Sequence, residues 1–174
     1  MSKRFALTAA GVATAAVGST AAAELISFTV HNDYYISENT WQLIDSNSNT
    51  IASMFVQGGY IYAGTSQSGT YPVSFGLWST SAQLSGYLTT FQMDLAEGSY
   101  TVAMQDSWGD GWVWNDATGE DAFNVAGNLG NDETSVTFGM VGTAAVSGTF
   151  TVVPAPGALA LLGLAGLSSR RKRK

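Results

Sequence analysis

The residues equipped for chemistry crowd into one short segment. Gln105-Asp106-Ser107-Trp108-Gly109-Asp110-Gly111-Trp112 sets two carboxylates four residues apart among two glycines and two tryptophans, and Trp114, Asn115, Asp116, Glu120 and Asp121 follow. Glycine at 109 and 111 permits positive φ, so backbone carbonyls can turn inward beside the carboxylates. Oxygen-only donors on a flexible loop suit a hard cation such as Ca²⁺, with Asp106, Asp110, Asn115 and Asp116 as candidate ligands. Such an ion takes about six to eight oxygens, so water or other loops must contribute. The segment is not an EF-hand, because its third position is Trp108 and its twelfth Ala117. The same residues also describe a tight inter-strand turn whose aspartates cap backbone amides. Both readings stay open on the sequence.

Two further chemistries compete for these residues. Paired carboxylates could hydrolyse a glycosidic bond, with Asp106 and Asp110, or Asp33 and Glu38, as the pairs. Thirteen acids among 174 residues make chance pairs common, and the chain offers one histidine, no serine-centred elbow and no zinc-ligand cluster. His31, beside Asn32-Asp33 at a strand end, reads as a surface or packing residue rather than a general base. No enzyme is expected. The alternative is a carbohydrate-binding module, in which Trp108, Trp112 and Trp114 stack on sugar rings. Aromatic side chains also fill sandwich cores and brace glycine-rich loops. Two exposed, coplanar rings on one face would favour sugar binding, and rings buried between sheets would oppose it.

Charge placement excludes other classes. All seven Lys and Arg lie at the ends, at positions 3, 4 and 170–174, whereas all thirteen Asp and Glu lie between Glu24 and Glu133. A body without cationic side chains cannot neutralise phosphates, so nucleic acid is not a partner. Zero cysteine removes disulfides, thiolate metal sites and a cysteine nucleophile. The body holds every Tyr and Trp and seven of the eight Phe, enough to build a core.

The elements that must position the acidic loop read as strands. Ile26, Phe28 and Val30 alternate, as do Trp41 and Leu43, then Phe91, Met93 and Leu95, then Tyr100, Val102 and Met104. Ile51–Val56, Phe123–Val125, Val136–Phe138 and Phe150–Val152 are further strand candidates, with Ala96-Glu97-Gly98 as a turn. Gly, Asn and Ser punctuate the body every 8–12 residues. The stretch 64–86 resists placement, although Tyr71, Val73 and Phe75 alternate. The expected fold is all-β: a single small antiparallel β-sandwich, jelly-roll-like, over residues 24–153, with helical N- and C-terminal targeting segments.

Those segments are addresses. Residues 1–23 place Lys3 and Arg4 before an apolar run that ends in Ala21-Ala22-Ala23, the layout of a secretory signal peptide cleaved after Ala23. Residues 154–174 place Pro154-Ala155-Pro156 before a Gly/Ala/Leu run and a basic cluster beginning Arg170-Arg171. The thirteen residues from Ala155 to Leu167 would span about 20 Å as a helix, a short transmembrane helix whose basic end stays cytoplasmic. This tail resembles the PEP-CTERM sorting signal of Gram-negative bacteria, with Ala in place of the commoner central Glu. The resemblance implies an exosortase-type sorting protease as partner, transient residence in the inner membrane, and release to the cell surface or extracellular matrix beside extracellular polysaccharide. The body in turn is similar to a secreted Asp-x-(Tyr/Trp)-Gly-Asp-Gly module. Asp33, Tyr35, Glu38, Trp41, Leu43 and Asp45 match its opening, and Leu95, Gly98 and Tyr100 its strand entry before Asp106. Ile36 stands where that module has Pro, and Ser48 where it has a turn Gly. That resemblance implies a small extracellular β-sandwich, and it makes Asp33 and Glu38, the module's other acidic cluster, the candidates for the remaining oxygens around a cation at the 106–116 loop. Together the readings give an exported, non-catalytic surface or matrix protein.

Overall fold

A computed structural model of the chain describes residues 23–58, 60–71, 73–75, 86–112 and 122–154. The expected signal peptide up to residue 22, and the tail from Ala155 through Arg170 and Arg171, lie outside the described residues. Among the described residues no helix is long and apolar enough to cross a membrane.

The described chain is built of strands: β1 (Glu24–Asn32), β2 (Asn39–Ile44), β3 (Thr50–Gln57), β4 (Tyr60–Thr65), β5 (Ser74–Phe75), β6 (Tyr87–Leu95), β7 (Gly98–Asp106), β8 (Ala122–Ala126), β9 (Ser135–Gly139) and β10 (Ala145–Val152). They form two five-stranded sheets, β5-β6-β1-β8-β9 and β10-β7-β2-β3-β4. Every pairing is antiparallel.

Period-two alternation decides which face each strand buries. Ile26, Phe28 and Val30 of β1, Phe91, Met93 and Leu95 of β6, and Phe123 and Val125 of β8 point inward from the first sheet. Trp41 and Leu43 of β2, Tyr100, Val102 and Met104 of β7, and Phe150 and Val152 of β10 point inward from the second. The layers meet through aromatic rings: Trp41 of the second sheet stacks on Phe91 of the first with centroids 5.5 Å apart, and Phe91 stacks in turn on its own sheet neighbour Phe28 at 4.6 Å. The alternation read from sequence therefore faces one shared core, which is a β-sandwich.

The wiring adds a constraint that the sequence did not contain. Asn32 at the end of β1 lies opposite Tyr87 at the start of β6, and Glu24 lies opposite Leu95. The chain leaves β1 for the second sheet at the Asn32 end, and leaves β6 for β7 at the Leu95 end. A jelly roll folds a paired ribbon over at one end, with both strands changing sheet together. The β1–β6 pair makes its two changes at opposite ends, but the β1–β8 pair behaves as such a ribbon: β1 leaves for β2 at Asn32, β8 is entered after β7 at Ala122 on that same end, and β2 and β7 pair in the second sheet. The turn at 96–97 is accordingly a corner between layers and not a hairpin within one; the Tyr100 hydroxyl closes it by donating to the Ala96 carbonyl at 2.9 Å.

Candidate metal centre

The first crossover and the end of β7 converge on one point. Along β7 the inward positions are Tyr100, Val102, Met104 and then Asp106, so strand parity carries a carboxylate into the sandwich wall, where it is 3% exposed. Asn39, the first residue of β2, lies directly opposite it. One oxygen of Asp106 is accounted for: Oδ1 accepts from the backbone N–H of Trp108 at 2.7 Å and of Gly109 at 3.0 Å, which bends the chain sharply after the strand. Its Oδ2 is buried and has no hydrogen-bond partner. A buried carboxylate oxygen left unpaired is costly unless a cation or proton meets it.

Two more carboxylates arrive there. Beyond β1, Asp33 accepts from the Tyr35 N–H at 3.0 Å and starts a 3-10 turn, Ile36–Glu38. Buried Ile36 anchors that turn, and Ser107 N–H donates to the Glu38 carbonyl at 3.0 Å, which ties it to the end of β7. Asp110 comes from the glycine-rich loop. Carboxylate oxygens of Glu38, Asp106 and Asp110 all lie within 4.8 Å of one another. Burial, followed by the charges of Asp106 and Asp110, holds the Glu38 carboxyl above its ordinary 4.5.

The loop that carries Asp110 is pinned. Trp112 N–H donates to the Met140 carbonyl at 2.9 Å, Gly142 N–H to the Asp110 carbonyl at 2.9 Å, and Asp106 N–H to the Ala144 carbonyl at 2.9 Å. Gly111 makes this close approach feasible: its φ is +88°, and a Cβ there would sit 2.5 Å from the Met140 carbonyl oxygen.

Of the residues expected to hold a cation, Asp106 and Asp110 are brought together, and Glu38, expected only as an auxiliary donor, completes the cluster. Asp33 does not join it; the carboxylate is buried and shapes the backbone that delivers Glu38. Asn115 and Asp116 lie outside the described residues. The tryptophan platform needs correction. Trp112 is fully buried and donates its Nε1–H to the Gln105 carbonyl at 3.3 Å, so it is a core residue and offers no face to a sugar. Trp108 is 78% exposed, and Trp114 lies outside the described residues. Chain parity resets at the Gly109–Gly111 bend, which is why the sequence could not separate the two rings.

Comparison of the chain with protein-family models, with curated proteins and with solved structures gave no match. The function must be argued from the residues themselves.

Proposed function

We propose that this is an exported, non-catalytic surface or matrix protein whose acidic β-sandwich holds a divalent cation, Ca²⁺ by preference, at Glu38, Asp106 and Asp110. The observation that carries the cation is the buried Oδ2 of Asp106, without a hydrogen-bond partner among the described residues, on a carboxylate that clusters with two others. Hard oxygen donors on a turn and a glycine loop fit Ca²⁺, with water filling the remaining positions. The same burial argues against hydrolysis, since a carboxylate 3% exposed cannot reach a glycosidic bond. Export is supported by the segregated basic ends and by the resemblance of residues 154–174 to a PEP-CTERM tail, with 1–23 as the signal peptide.

Two measurements test this reading. Titration calorimetry and melting of the full-length chain should show binding heat and a melting temperature that rises from EDTA to millimolar Ca²⁺. At free Ca²⁺ a hundredfold above Kd the stabilisation is about 2.7 kcal/mol. Asp106→Asn and Glu38→Gln should lose most of it; unchanged Ca²⁺ responses in both would reduce the cluster to a structural turn. Terminal mass spectrometry of the exported protein should find Glu24 as first residue and a C-terminus near Pro154–Pro156. A surface-exposed product still ending in Lys174 would defeat the sorting claim.

A further inference from the structure

The β3–β4 hairpin, at the edge of the second sheet, presents a surface that the cation reading does not use. Inward positions alternate as Ala52 and Met54, both buried, so Phe55 points out. The register sets Phe55 opposite Tyr62, Gln57 opposite Tyr60 and Ser53 opposite Gly64. The rings of Phe55 and Tyr62 stack with centroids 5.3 Å apart and planes at 15°, yet stay 43% and 46% exposed. Next to them Gly64 leaves a notch: nothing lies within 4 Å of the place a Cβ would occupy. Thr50, Ser53, Thr65 and Ser66 line the surrounding groove together with apolar Ile51 and Ala63; the Thr50 hydroxyl donates to Gln42 Oε1 at 3.4 Å and Thr65 Oγ1 accepts from the Gln67 N–H at 3.2 Å. The groove has a volume of about 350 Å³, inside the range of about 300–1,000 Å³ usual for small-molecule sites.

A stacked cross-strand pair would brace the hairpin by itself. Bracing does not account for the glycine. Glycine inside a strand weakens it, and its usual reasons are a bulge or the close approach of a ligand or another backbone. The register is unbroken from Ala52↔Thr65 to Gln57↔Tyr60, so there is no bulge.

We propose that this groove binds a neutral polysaccharide chain. An aromatic wall beside a row of hydroxyls complements a sugar ring, which has an apolar C–H face and a hydroxyl rim. Charge selects among occupants. Between residues 5 and 169 the sequence has no Lys or Arg, so anionic glycans, nucleic acids and acidic lipid surfaces are repelled. Among the described residues no carboxylate lines the groove, so a cationic protein gains nothing specific from it. A second copy would bring thirteen further acids against the first. The residues of this groove are distinct from those of the tryptophan loop and from the cation centre, which lies where β2 and β7 meet.

The test is affinity electrophoresis of the full-length chain in gels containing soluble neutral glucan, xylan or galactan, run with Ca²⁺ and with EDTA. At least one polysaccharide should retard the wild type equally under both conditions. Phe55→Ala, Tyr62→Ala and Gly64→Thr should each weaken that retardation at least tenfold. Gly64→Thr keeps both rings and favours a strand, so its loss cannot come from a broken hairpin; melting curves confirm that each variant is folded. The proposal is overturned if no neutral polysaccharide retards the wild type, if Gly64→Thr binds as well as wild type, or if EDTA alone abolishes binding. It is also overturned if sedimentation shows that Phe55→Ala merely converts a dimer to a monomer. Because cation binding is measured separately by calorimetry, failure here leaves that reading standing, and the reverse holds as well.

Discussion

At single residues the sandwich departs from easy chemistry in two places, and each gives a measurable consequence. Between β2 and β3 the chain turns over Asp45, whose Oδ1 accepts from the N–H of Asn47 at 2.9 Å and of Asn49 at 2.8 Å. Within that turn Ser48 has φ of 66°, the position where the resembled module carries glycine. A side chain in the left-handed region costs about 1–2 kcal/mol, against about 0.5–1 kcal/mol of extra chain entropy for glycine. Ser48→Gly should therefore stabilise the fold by about 0.5–1 kcal/mol, raising the melting temperature by roughly 2–6 °C; a fall would show that the serine is compensated elsewhere. The second departure is Glu38, raised above 4.5 chiefly by burial and then by Asp106 and Asp110. The folded state then binds the proton more tightly than the unfolded one, so stability falls as pH rises from 4.5 through the raised value. In EDTA, acidification through that interval should raise the melting temperature, and Glu38→Gln should remove this part of the profile. Cation and proton compete for the same oxygens, so the rise produced by Ca²⁺ should shrink over the same interval. Asp45 works with the opposite sign: the side-chain and backbone bonds from Asn49, with those from Asn47, hold it below 3.8, so its contribution is lost as pH falls beneath that. A profile that Glu38→Gln leaves unchanged would sink the assignment.

At the scale of elements, legibility followed the direction in which side chains point. Strands β1, β2, β6 and β7 announce themselves because large apolar residues recur at every second position and that set faces the core, although Leu25 and Leu88 lie exposed on the other face. Strand β4 was missed for the complementary reason. In Tyr60–Thr65 the conspicuous residues, Tyr60 and Tyr62, point to solvent, while Ile61 and Ala63 pack inward, so the strand's chemical contrast is inverted. The Tyr71–Phe75 alternation yields only the two-residue β5, Ser74–Phe75. For the candidate site, Asp106 and Asp110 were legible because they stand four positions apart on one local loop with Gly109 between them. Glu38 was visible only as one member of a distant acidic cluster. Nothing local says that the β1-to-β2 crossover ends beside β7; that follows from the register Asn39↔Asp106, a contact sixty-seven positions apart. Trp108 and Trp112 show the same limit, since a bend at Gly109 and Gly111, both at positive φ, decides which ring is buried.

At the scale of the whole molecule, the dominant fact is a charge distribution with nothing to balance it. Thirteen carboxylates lie between Glu24 and Glu133, and the only side chain there able to carry positive charge is His31. Ordinary domains soften like-charge repulsion with interspersed Lys and Arg; this one has none to intersperse, so it needs ions from solution. Two like charges about 4 Å apart repel by about 1 kcal/mol in water and about 4 kcal/mol at an effective dielectric near 20. The carboxylates of Glu38, Asp106 and Asp110, within 4.8 Å of one another, fall in this regime, and the remaining acids add a longer-range term. Salt acts on the two differently. Raising ionic strength from 0.01 M to 0.1 M shortens the screening length from about 30 Å to about 10 Å, which removes most of the long-range repulsion but little of that inside the cluster. On the proposed reading a divalent cation does the reverse, neutralising the cluster at a specific point. With EDTA present, the melting temperature should accordingly climb with NaCl and then level off. Ca²⁺ added at that plateau should raise it further, and Asp106→Asn should keep the NaCl response while losing the Ca²⁺ increment. A melting temperature that falls as NaCl increases in EDTA would mean that attractive pairs outweigh repulsive ones, which this distribution of charge does not allow.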